Sequence, residues 1–271
     1  MIGQVQLQAK IQQMLASYPR FTIITGASGS GKKTIANSIC QSLGLKVVSF
    51  GTSIDEVRKV IERSYDVSEP TCFLGADADG MSLGAKNALL KITEEPPRKA
   101  YFILTLEDMS NTLETIKSRG VVLELDPYTE EELVQYRQAK GYSDQHDDIL
   151  KTVCRTTGEV DRLYSCDVLA FHTTANSIAT QISKATCGNA LKIHKLMKIK
   201  ESDKGYDPIL LFTAIRQIYI DKAKSSGDTR YLWASNLTTE CINDLKMSAV
   251  SKVGSIDNWM FGVRVVLGGV E

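Results

Sequence analysis

Hydrophobic and polar positions change their spacing once along the 271-residue chain. Up to about residue 127, short apolar runs rich in β-branched residues alternate with stretches in which apolar residues recur every three or four positions. The runs predict strands at 21–25, 46–50, 71–74, 101–106 and 121–125. Strands that alternate with helices predict an α/β domain with a mainly parallel, doubly wound sheet.

Polar residues mark where several of the intervening helices begin and end. Helices are predicted at about 5–15, 33–43, 54–64 and 85–92, and a helix or turn at 112–117. Ser53 and Glu56 have the spacing of a capping box, in which a hydroxyl and a carboxylate satisfy free backbone N–H groups at a helix start. Pro96 and Pro97 end the fourth helix, because proline lacks the N–H that a helix interior requires.

Beyond Pro127 the pattern becomes helical throughout. Thr129 and Glu132 form a second capping box, and almost no strand pattern follows. Helices are predicted at 130–140, 144–156, 159–183, 189–199 and 208–224, with two more after Thr229. We therefore predict three domains: an α/β domain at 1–127, a small helical lid at 128–168, and a helical domain at 169–271.

Composition narrows the possible functions. Thirty-two Lys and Arg balance 32 Asp and Glu, so any DNA contact depends on a local patch and not on a global basic field. No apolar run approaches the roughly 18 residues that span a bilayer, and glutamines interrupt the N-terminal stretch, so we expect a cytoplasmic protein without membrane contact. The six cysteines include no CxxC pair and the three histidines have no ligand spacing, so we predict packed thiols and no metal site in these residues.

A glycine-rich loop between the first strand and its helix carries the clearest chemistry. Its sequence is Gly26-Ala-Ser-Gly29-Ser30-Gly31-Lys32-Lys33-Thr34. Glycines at these positions allow backbone N–H groups to surround a phosphate, and the helix dipole favours an anion there. The phosphate-binding pattern GxxxxGK[ST] places a Mg²⁺-binding hydroxyl where this chain has Lys33. An ammonium about 4 Å from Mg²⁺ would repel the ion by about 8 kcal/mol. A glycine turn without a ligand is the alternative.

Two carboxylates follow the third strand, in Phe73-Leu-Gly-Ala76-Asp77-Ala78-Asp79. Asp77 is a candidate for metal binding or for activating a water molecule. Alternatively, Asp77 and Asp79 shape the turn between strand and helix.

Three further blocks bring a family resemblance. Asn87-Ala-Leu-Leu-Lys-Ile-Thr-Glu-Glu-Pro-Pro97, Phe102-Ile-Leu-Thr105 and Thr115-Ile-Lys-Ser118-Arg119-Gly120 resemble the clamp-loader branch of the AAA+ proteins. Ile2-Gly3-Gln4 is similar to the adenine-side motif of that family. The match is dense in the α/β domain, whereas the helical remainder matches in architecture alone.

The resemblance implies roles for particular residues. Ser118 and Arg119 match the family's Ser-Arg-Cys motif, whose arginine acts as a finger on nucleotide bound by the neighbouring subunit. The implied partners are other clamp-loader subunits in a pentameric ring, a sliding clamp and primer-template DNA. The implied cofactor is ATP or ADP, bound by Gly26, Gly29, Ser30, Gly31, Lys32, Lys33 and Thr34.

Departures from the family pattern bear on catalysis. Lys33 replaces the Mg²⁺-binding hydroxyl, Ala76 matches the metal-binding Asp, Asp77 matches the catalytic Glu, and Glu107 falls near the polar sensor position. Together they resemble the delta-prime type of subunit, which keeps the fold and the finger but does not turn over ATP at its own site. The sequence also has no four-cysteine zinc module, which many bacterial members carry, and in this it resembles a phage or mobile-element version of the subunit. An active ATPase subunit, with Thr34 or the aspartates rescuing Mg²⁺, and a helicase loader are the alternatives.

The resemblance leaves three groups of residues with two interpretations each. Arg162 lies near the position of the family's second sensor, although one residue out of register, and otherwise serves lid packing or the surface. Arg58, Lys59 and Arg63 share a helix face that contacts DNA in the family, or form a solvated face balanced by acids. The aromatic residues of the last helices predict packing within the chain or between subunits. These are Tyr231, Trp233, Trp259 and Phe261.

Overall fold

The computed structural model describes residues 3–107, 109, 114–182, 193–197, 205–247 and 250–268. The chain divides into two compact units, one made of residues 1–132 and 156–158, the other of 133–155 and 159–271. This division does not separate residues 128–168 from 169–271, so the three-domain organisation stays a prediction. Ile2, Cys187 and most of the helix predicted at 189–199 lie outside the described residues.

The first unit is built on five parallel strands in the order β2-β3-β4-β1-β5. The strands are β1 (Phe21–Thr25), β2 (Lys46–Phe50), β3 (Thr71–Gly75), β4 (Ala100–Leu106) and β5 (Val121–Glu124). The helices are α1 (Val5–Met14), α2 (Lys32–Ser42), α3 (Ile54–Tyr65), α4 (Leu83–Glu94) and α5 (Glu114–Lys117). The predicted parallel, doubly wound sheet is confirmed.

Alternating side chains of the strands pack on both faces of the sheet. Ile23, Phe73 and Phe102 lie on one face with residues of α3 and α4, and the rings of Phe73 and Phe102 stack with centroids 5.3 Å apart. Ile24 and Ile103 lie on the other face with residues of α1 and α2. Because both faces are covered there, β1, β3 and β4 are buried at nearly every position, whereas the edge strand β2 is exposed at three of its five positions.

Strand order determines which loops meet. β1 lies between β4 and β5, and β3 adjoins β4. In a parallel sheet all strands point the same way, so the segments after β1, β3 and β4 emerge at one edge. The glycine-rich loop (residues 26–31), Asp77 and Glu107 are therefore neighbours at the carboxyl edge of the sheet.

The second unit is helical in its described residues. Its helices include α7 (Asp147–Val153), α9 (Val168–Gln181), α10 (Pro208–Ser226), α11 (Arg230–Lys246) and α12 (Lys252–Gly268). The helix α6 (Glu130–Ala139) begins in the first unit and continues into the second, as does α8 (Thr157–Tyr164). None of the described helices combines the length and the apolar character needed to cross a membrane.

The single helix predicted from Glu159 to about Ser183 is wrong, because the chain forms α8 and α9 with a break at 165–167. Ser165 Oγ donates to the Arg162 carbonyl, and the Cys166 thiol donates to the Leu163 carbonyl, which ends α8. Asp167 then accepts the Ala170 N–H at 2.9 Å and caps α9. Short polar side chains at three successive positions offer the backbone an alternative to helix continuation.

Candidate functional site

The glycine-rich loop forms a tight turn between β1 and α2. Its glycines Gly26, Gly29 and Gly31 have φ values of 155°, 74° and 92°, which side-chain-bearing residues rarely adopt. At Gly26 a Cβ atom would lie 2.9 Å from the Leu125 Cβ. No side chain caps α2, so the N–H groups of its first turn remain available to an anion at the helix start.

Lys32 lies inside this loop. Its side chain is only 6% exposed, and its Nζ donates to the Gly26 and Ala27 carbonyl oxygens at 2.7 and 2.9 Å. Burial lowers the pKa of the Lys32 ammonium, while the charges of Glu107, Asp77 and Asp79 oppose that shift. The ammonium is thus held at the centre of the loop by backbone oxygens.

Lys33 points to the segment that follows β3. Its Nζ lies 2.9 Å from Asp77 Oδ2, and both side chains are more than half exposed. Asp77 has the left-handed backbone conformation, with φ 55°, and its N–H donates to Thr105 Oγ1 at 3.1 Å. Asp79 accepts the Glu107 N–H at 2.7 Å. The predicted loop and carboxylates therefore meet, and Lys33 is the cation paired with Asp77.

Three residues of this site were not identified from the sequence. Thr105 is a fully buried hydroxyl in β4, and its only sequence signal was a polar residue within an apolar run. Tyr128 donates its hydroxyl to the Ser30 carbonyl at 2.9 Å, and burial raises its pKa, so it remains a donor at neutral pH. Thr157 Oγ1 donates to the Gly29 carbonyl at 3.2 Å.

The start of α8 rests on the glycine-rich loop. Gly158 N–H donates to the Gly29 carbonyl at 2.9 Å, so that oxygen accepts from two consecutive residues. At Gly158 a Cβ atom would lie 2.9 Å from the Gly29 Cα, and at Gly29 a Cβ atom would lie 2.9 Å from Thr156 Oγ1. The close approach of the two backbones therefore requires glycine at both positions.

Gln4 ties the N-terminal segment to the end of β5. Its Nε2 donates to the Asp126 carbonyl at 2.6 Å, and its Oε1 accepts the Asp126 N–H at 2.9 Å. Gln4 is 4% exposed and has a left-handed backbone, with φ 56°. The Gly3-Gln4 segment is thereby fixed near the residues that lead to Tyr128.

Arg119 lies just after α5 and is 26% exposed. Its Nε donates to Glu94 Oε1 at 2.9 Å, and its two terminal nitrogens donate to Glu94 and to the Thr115 carbonyl. Glu94 is the last residue of α4. The guanidinium is therefore oriented by two elements at the surface of the first unit.

Comparisons with known proteins agree with this geometry. Residues 47–129 match the family described as DNA polymerase III, delta subunit. A DNA polymerase III subunit gamma from Buchnera aphidicola (Schizaphis graminum) is 24% identical over 213 residues, covering 66% of this chain and 59% of that protein. These two matches support the AAA+ clamp-loader family. A second gamma subunit, from Buchnera aphidicola (Acyrthosiphon pisum), is 26% identical over 145 residues, covering 42% of this chain and 40% of that protein.

Solved structures show the same fold. A gamma subunit-related protein from Thermotoga maritima superposes with a TM-score of 0.56 at 15% identity, covering 96% of this chain and 98% of that one. The RuvB Holliday junction branch migration motor from the same organism gives 0.51 at 17% identity, covering 83% and 82%. The AAA+ fold with a helical C-terminal part is thereby confirmed, and the chain spans 59% of the length of the first curated relative.

Mg²⁺ does not fit the site at the glycine-rich loop as this chain builds it. Lys33 stands at the position of the metal-binding hydroxyl, and its ammonium is paired with Asp77. Thr34 is exposed on α2, and Asp79 is bonded to the Glu107 N–H. Within the described ranges, no group of three or more His, Cys, Asp or Glu residues is arranged to hold a metal ion.

Arg162 and Asp161, near the position that the resemblance gives to a second sensor, both have partners within the helical unit. Arg162 Nε lies 3.6 Å from Asp207 Oδ2. Asp161, one residue earlier, accepts the hydroxyls of Tyr136 and Tyr142 at 2.9 and 3.1 Å. Nucleotide contact by Arg162 stays a prediction, and the 40% exposure of its side chain favours the alternative of a surface residue.

Arg58, Lys59 and Arg63 are all exposed on α3. Val57, Val60 and Ser64 form the buried face of the same helix. Ser53 Oγ accepts the Glu56 N–H, as the predicted capping box requires, and the Glu56 carboxylate accepts the Ser53 hydroxyl. The basic face is available for phosphate contacts, and DNA binding by it stays a prediction.

Proposed function

We propose that the chain is a clamp-loader subunit of the delta-prime type. In this proposal it occupies one place in a cytoplasmic AAA+ ring, presents Arg119 to ATP bound by a neighbouring subunit, and helps to load a sliding clamp onto primer-template DNA. The observation that carries the proposal is the pairing of Lys33 with Asp77, which places an ammonium beside the carboxylate that Mg²⁺ would need, while Arg119 is oriented at the surface.

The arrangement of Arg119 supports a role in trans. Arginine presents several donors in a fixed plane, which suits the equatorial oxygens of a transferring phosphoryl group. Glu94 and the Thr115 carbonyl hold the guanidinium in one orientation. A pre-oriented cation loses little conformational freedom when a neighbouring site is completed.

Arg58, Lys59 and Arg63 supply the proposed DNA contacts. Their charges lie on one exposed face of α3, as a helix that follows a phosphate backbone requires. Such contacts position the protein on DNA without reading its sequence.

Substitution of Arg119 in a reconstituted complex tests this proposal. The complex would contain the cognate motor subunit, sliding clamp and primed DNA. Arg119→Ala is expected to lower clamp- and DNA-stimulated ATP hydrolysis by about 10² or more, because a trans finger stabilises transition-state charge in related enzymes. Arg98→Ala, which removes an exposed arginine after Pro97, is the matched control and should leave the rate unchanged. Equal rates for Arg119→Ala and the unmodified complex would contradict the proposal.

A gamma-like motor subunit is the second candidate, because both curated relatives are named DNA polymerase III subunit gamma. Lys32 also keeps its place in the glycine-rich loop. This alternative predicts ATP hydrolysis by the purified chain that Lys32→Ala abolishes. The delta-prime proposal predicts no turnover that depends on Lys32.

A further inference from the structure

Two adjacent lysines begin α2, and their side chains have different surroundings. Lys32 is buried and bonded to two loop carbonyls. Lys33 is about half exposed, and its ammonium bonds to the Asp77 carboxylate at the carboxyl edge of the sheet. The chain thus has a second positive charge where other members of the family have a metal-binding hydroxyl.

The glycine-rich loop has unsatisfied hydrogen-bonding capacity of its own. Ser30 is 3% exposed, and its Oγ has no hydrogen-bond partner among the described residues. A Cβ built on Gly26 would lie 3.1 Å from that oxygen, so the Ser30 hydroxyl is directed into the loop. Together with the uncapped start of α2, this buried hydroxyl indicates a place for an anion.

The backbone around Asp77 is built to hold its position. Asp77 adopts a left-handed conformation that most residues avoid, and its N–H is bonded to the buried Thr105 hydroxyl. Strained residues of this kind persist where the surroundings fix them, and they cluster at ligand sites. The Lys33–Asp77 pair is therefore part of the site and not a chance surface contact.

We propose that the glycine-rich loop binds the phosphates of ATP without a divalent cation, and that the Lys33 ammonium supplies the charge that Mg²⁺ supplies in other members of the family. The inference goes beyond the proposed function, which concerns ATP bound by a neighbouring subunit, and treats this loop as a nucleotide site of the chain itself. In the unbound chain Asp77 is the counter-ion of Lys33. When ATP binds, Lys33 exchanges the carboxylate for phosphate oxygens.

Exposure and charge favour this exchange. The Lys33 and Asp77 side chains are 55% and 63% exposed, and an ion pair between solvated groups is weak. Lysine is a flexible point charge with three donors, so its ammonium can move from one anion to the other without rearrangement of α2. A phosphate also carries more charge than the carboxylate it replaces.

ATP binding to the purified full chain, measured by calorimetry in excess EDTA and in excess Mg²⁺, tests the inference. The two Kd values should agree within about threefold, because the site has its own cation. Lys33→Gln should weaken binding about tenfold in both buffers, the size of one charge-assisted hydrogen bond. Lys33→Thr restores the family's hydroxyl, so its ATP affinity should become about tenfold higher in Mg²⁺ than in EDTA.

Asp77→Asn should change the ATP affinity in the opposite direction from Lys33→Gln. It removes the carboxylate that competes for Lys33, so ATP should bind about threefold more tightly in EDTA. If Asp77 instead held a metal, the same substitution would weaken binding in Mg²⁺. The matched control is the ion pair between Lys46 and Glu69. Its N–O distance is 2.8 Å, and both side chains are 58% exposed. Lys46→Gln and Glu69→Gln should leave both Kd values within twofold.

Three results would overturn the inference: Mg²⁺ strengthens binding to the unmodified chain by tenfold or more, Lys33→Gln leaves the affinity unchanged, or the unmodified chain binds no ATP in either buffer. None of these results affects the trans action of Arg119, which is measured at a neighbour's site. Failure of this inference and failure of the proposed function are therefore distinguishable.

Discussion

At the scale of single residues, the glycine-rich loop is held by the close approach of a second backbone segment as much as by side chains. The Gly29 carbonyl accepts from Thr157 and from Gly158, and these two donors are more than 125 residues away in the chain. Glycines 29 and 31 could be assigned to the loop from the sequence because their spacing is a known pattern. Gly158 could not, because the need for glycine there arises from a contact that forms only in the folded chain.

Gly158→Ala tests this contact. The new Cβ would lie 2.9 Å from the Gly29 Cα and 3.1 Å from its carbonyl oxygen, and both are backbone atoms that move little. We expect a loss of about 1–3 kcal/mol in stability, the usual range for overpacking. Gly254→Ala in α12 is the control, because its Cβ would meet only Ser251 side-chain atoms at 3.6 Å. That substitution should raise stability by about 0.5–1 kcal/mol. Urea denaturation of both variants measures the difference, and equal changes would contradict the account.

At the scale of secondary-structure elements, the sequence predicted the sheet well and the helical unit less well. The strands β1, β3 and β4 are buried on both faces, so their apolar runs are visible without knowledge of their neighbours. The boundary between α8 and α9 was missed because apolar positions continue across it in helical register. The deciding residues were Ser165, Cys166 and Asp167, whose side chains bond to the local backbone. Polar partners such as Thr105 and Tyr128 were missed because their bonds join distant segments.

The two tryptophans allow a test of helix packing. Trp259 in α12 is 2% exposed, its Nε1 donates to Thr238 Oγ1 at 2.8 Å, and its ring meets Phe212 edge to face at 4.6 Å. Trp233 in α11 is 64% exposed. We expect Trp259→Ala to cost about 3–5 kcal/mol of stability and Trp233→Ala to change it by less than about 0.5 kcal/mol. Thermal unfolding followed by circular dichroism would show this contrast, and similar losses for both variants would contradict it.

At the scale of the whole molecule, an apolar strip of exposed and half-buried side chains lies on the helical unit. Its members are Trp233 and Leu237 on α11 and Phe261 and Val265 on α12. Both pairs are four residues apart, so each pair shares a helix face. A Cβ on Gly262 would lie 3.2 Å from Leu237 Cδ1, which brings the two pairs side by side. Of the predicted aromatic group, Trp259 packs within the chain, whereas Trp233 and Phe261 favour a contact between subunits.

Phe261→Asp tests the apolar strip. Phe261 is 72% exposed, so an aspartate there should leave folding intact while placing a charge in the proposed subunit contact. We expect the variant to lose incorporation into the clamp-loader complex by about tenfold or more, as measured by size-exclusion chromatography with light scattering. Leu169→Asp changes another exposed residue, 59% exposed on α9, and should assemble normally. Normal assembly of Phe261→Asp would contradict a subunit contact at this strip.

The proposal assigns ATP turnover to a neighbouring subunit and the trans finger to Arg119 of this chain. One paired measurement tests this assignment most directly. Steady-state ATP hydrolysis would be compared in otherwise identical reconstituted complexes that carry Lys32→Ala or Arg119→Ala in this subunit alone. The account predicts that Arg119→Ala lowers the rate by about 10² or more, while Lys32→Ala leaves it within about twofold. The reverse result, with Lys32→Ala abolishing hydrolysis and Arg119→Ala leaving it unchanged, would identify this chain as a motor of the ring and contradict the account.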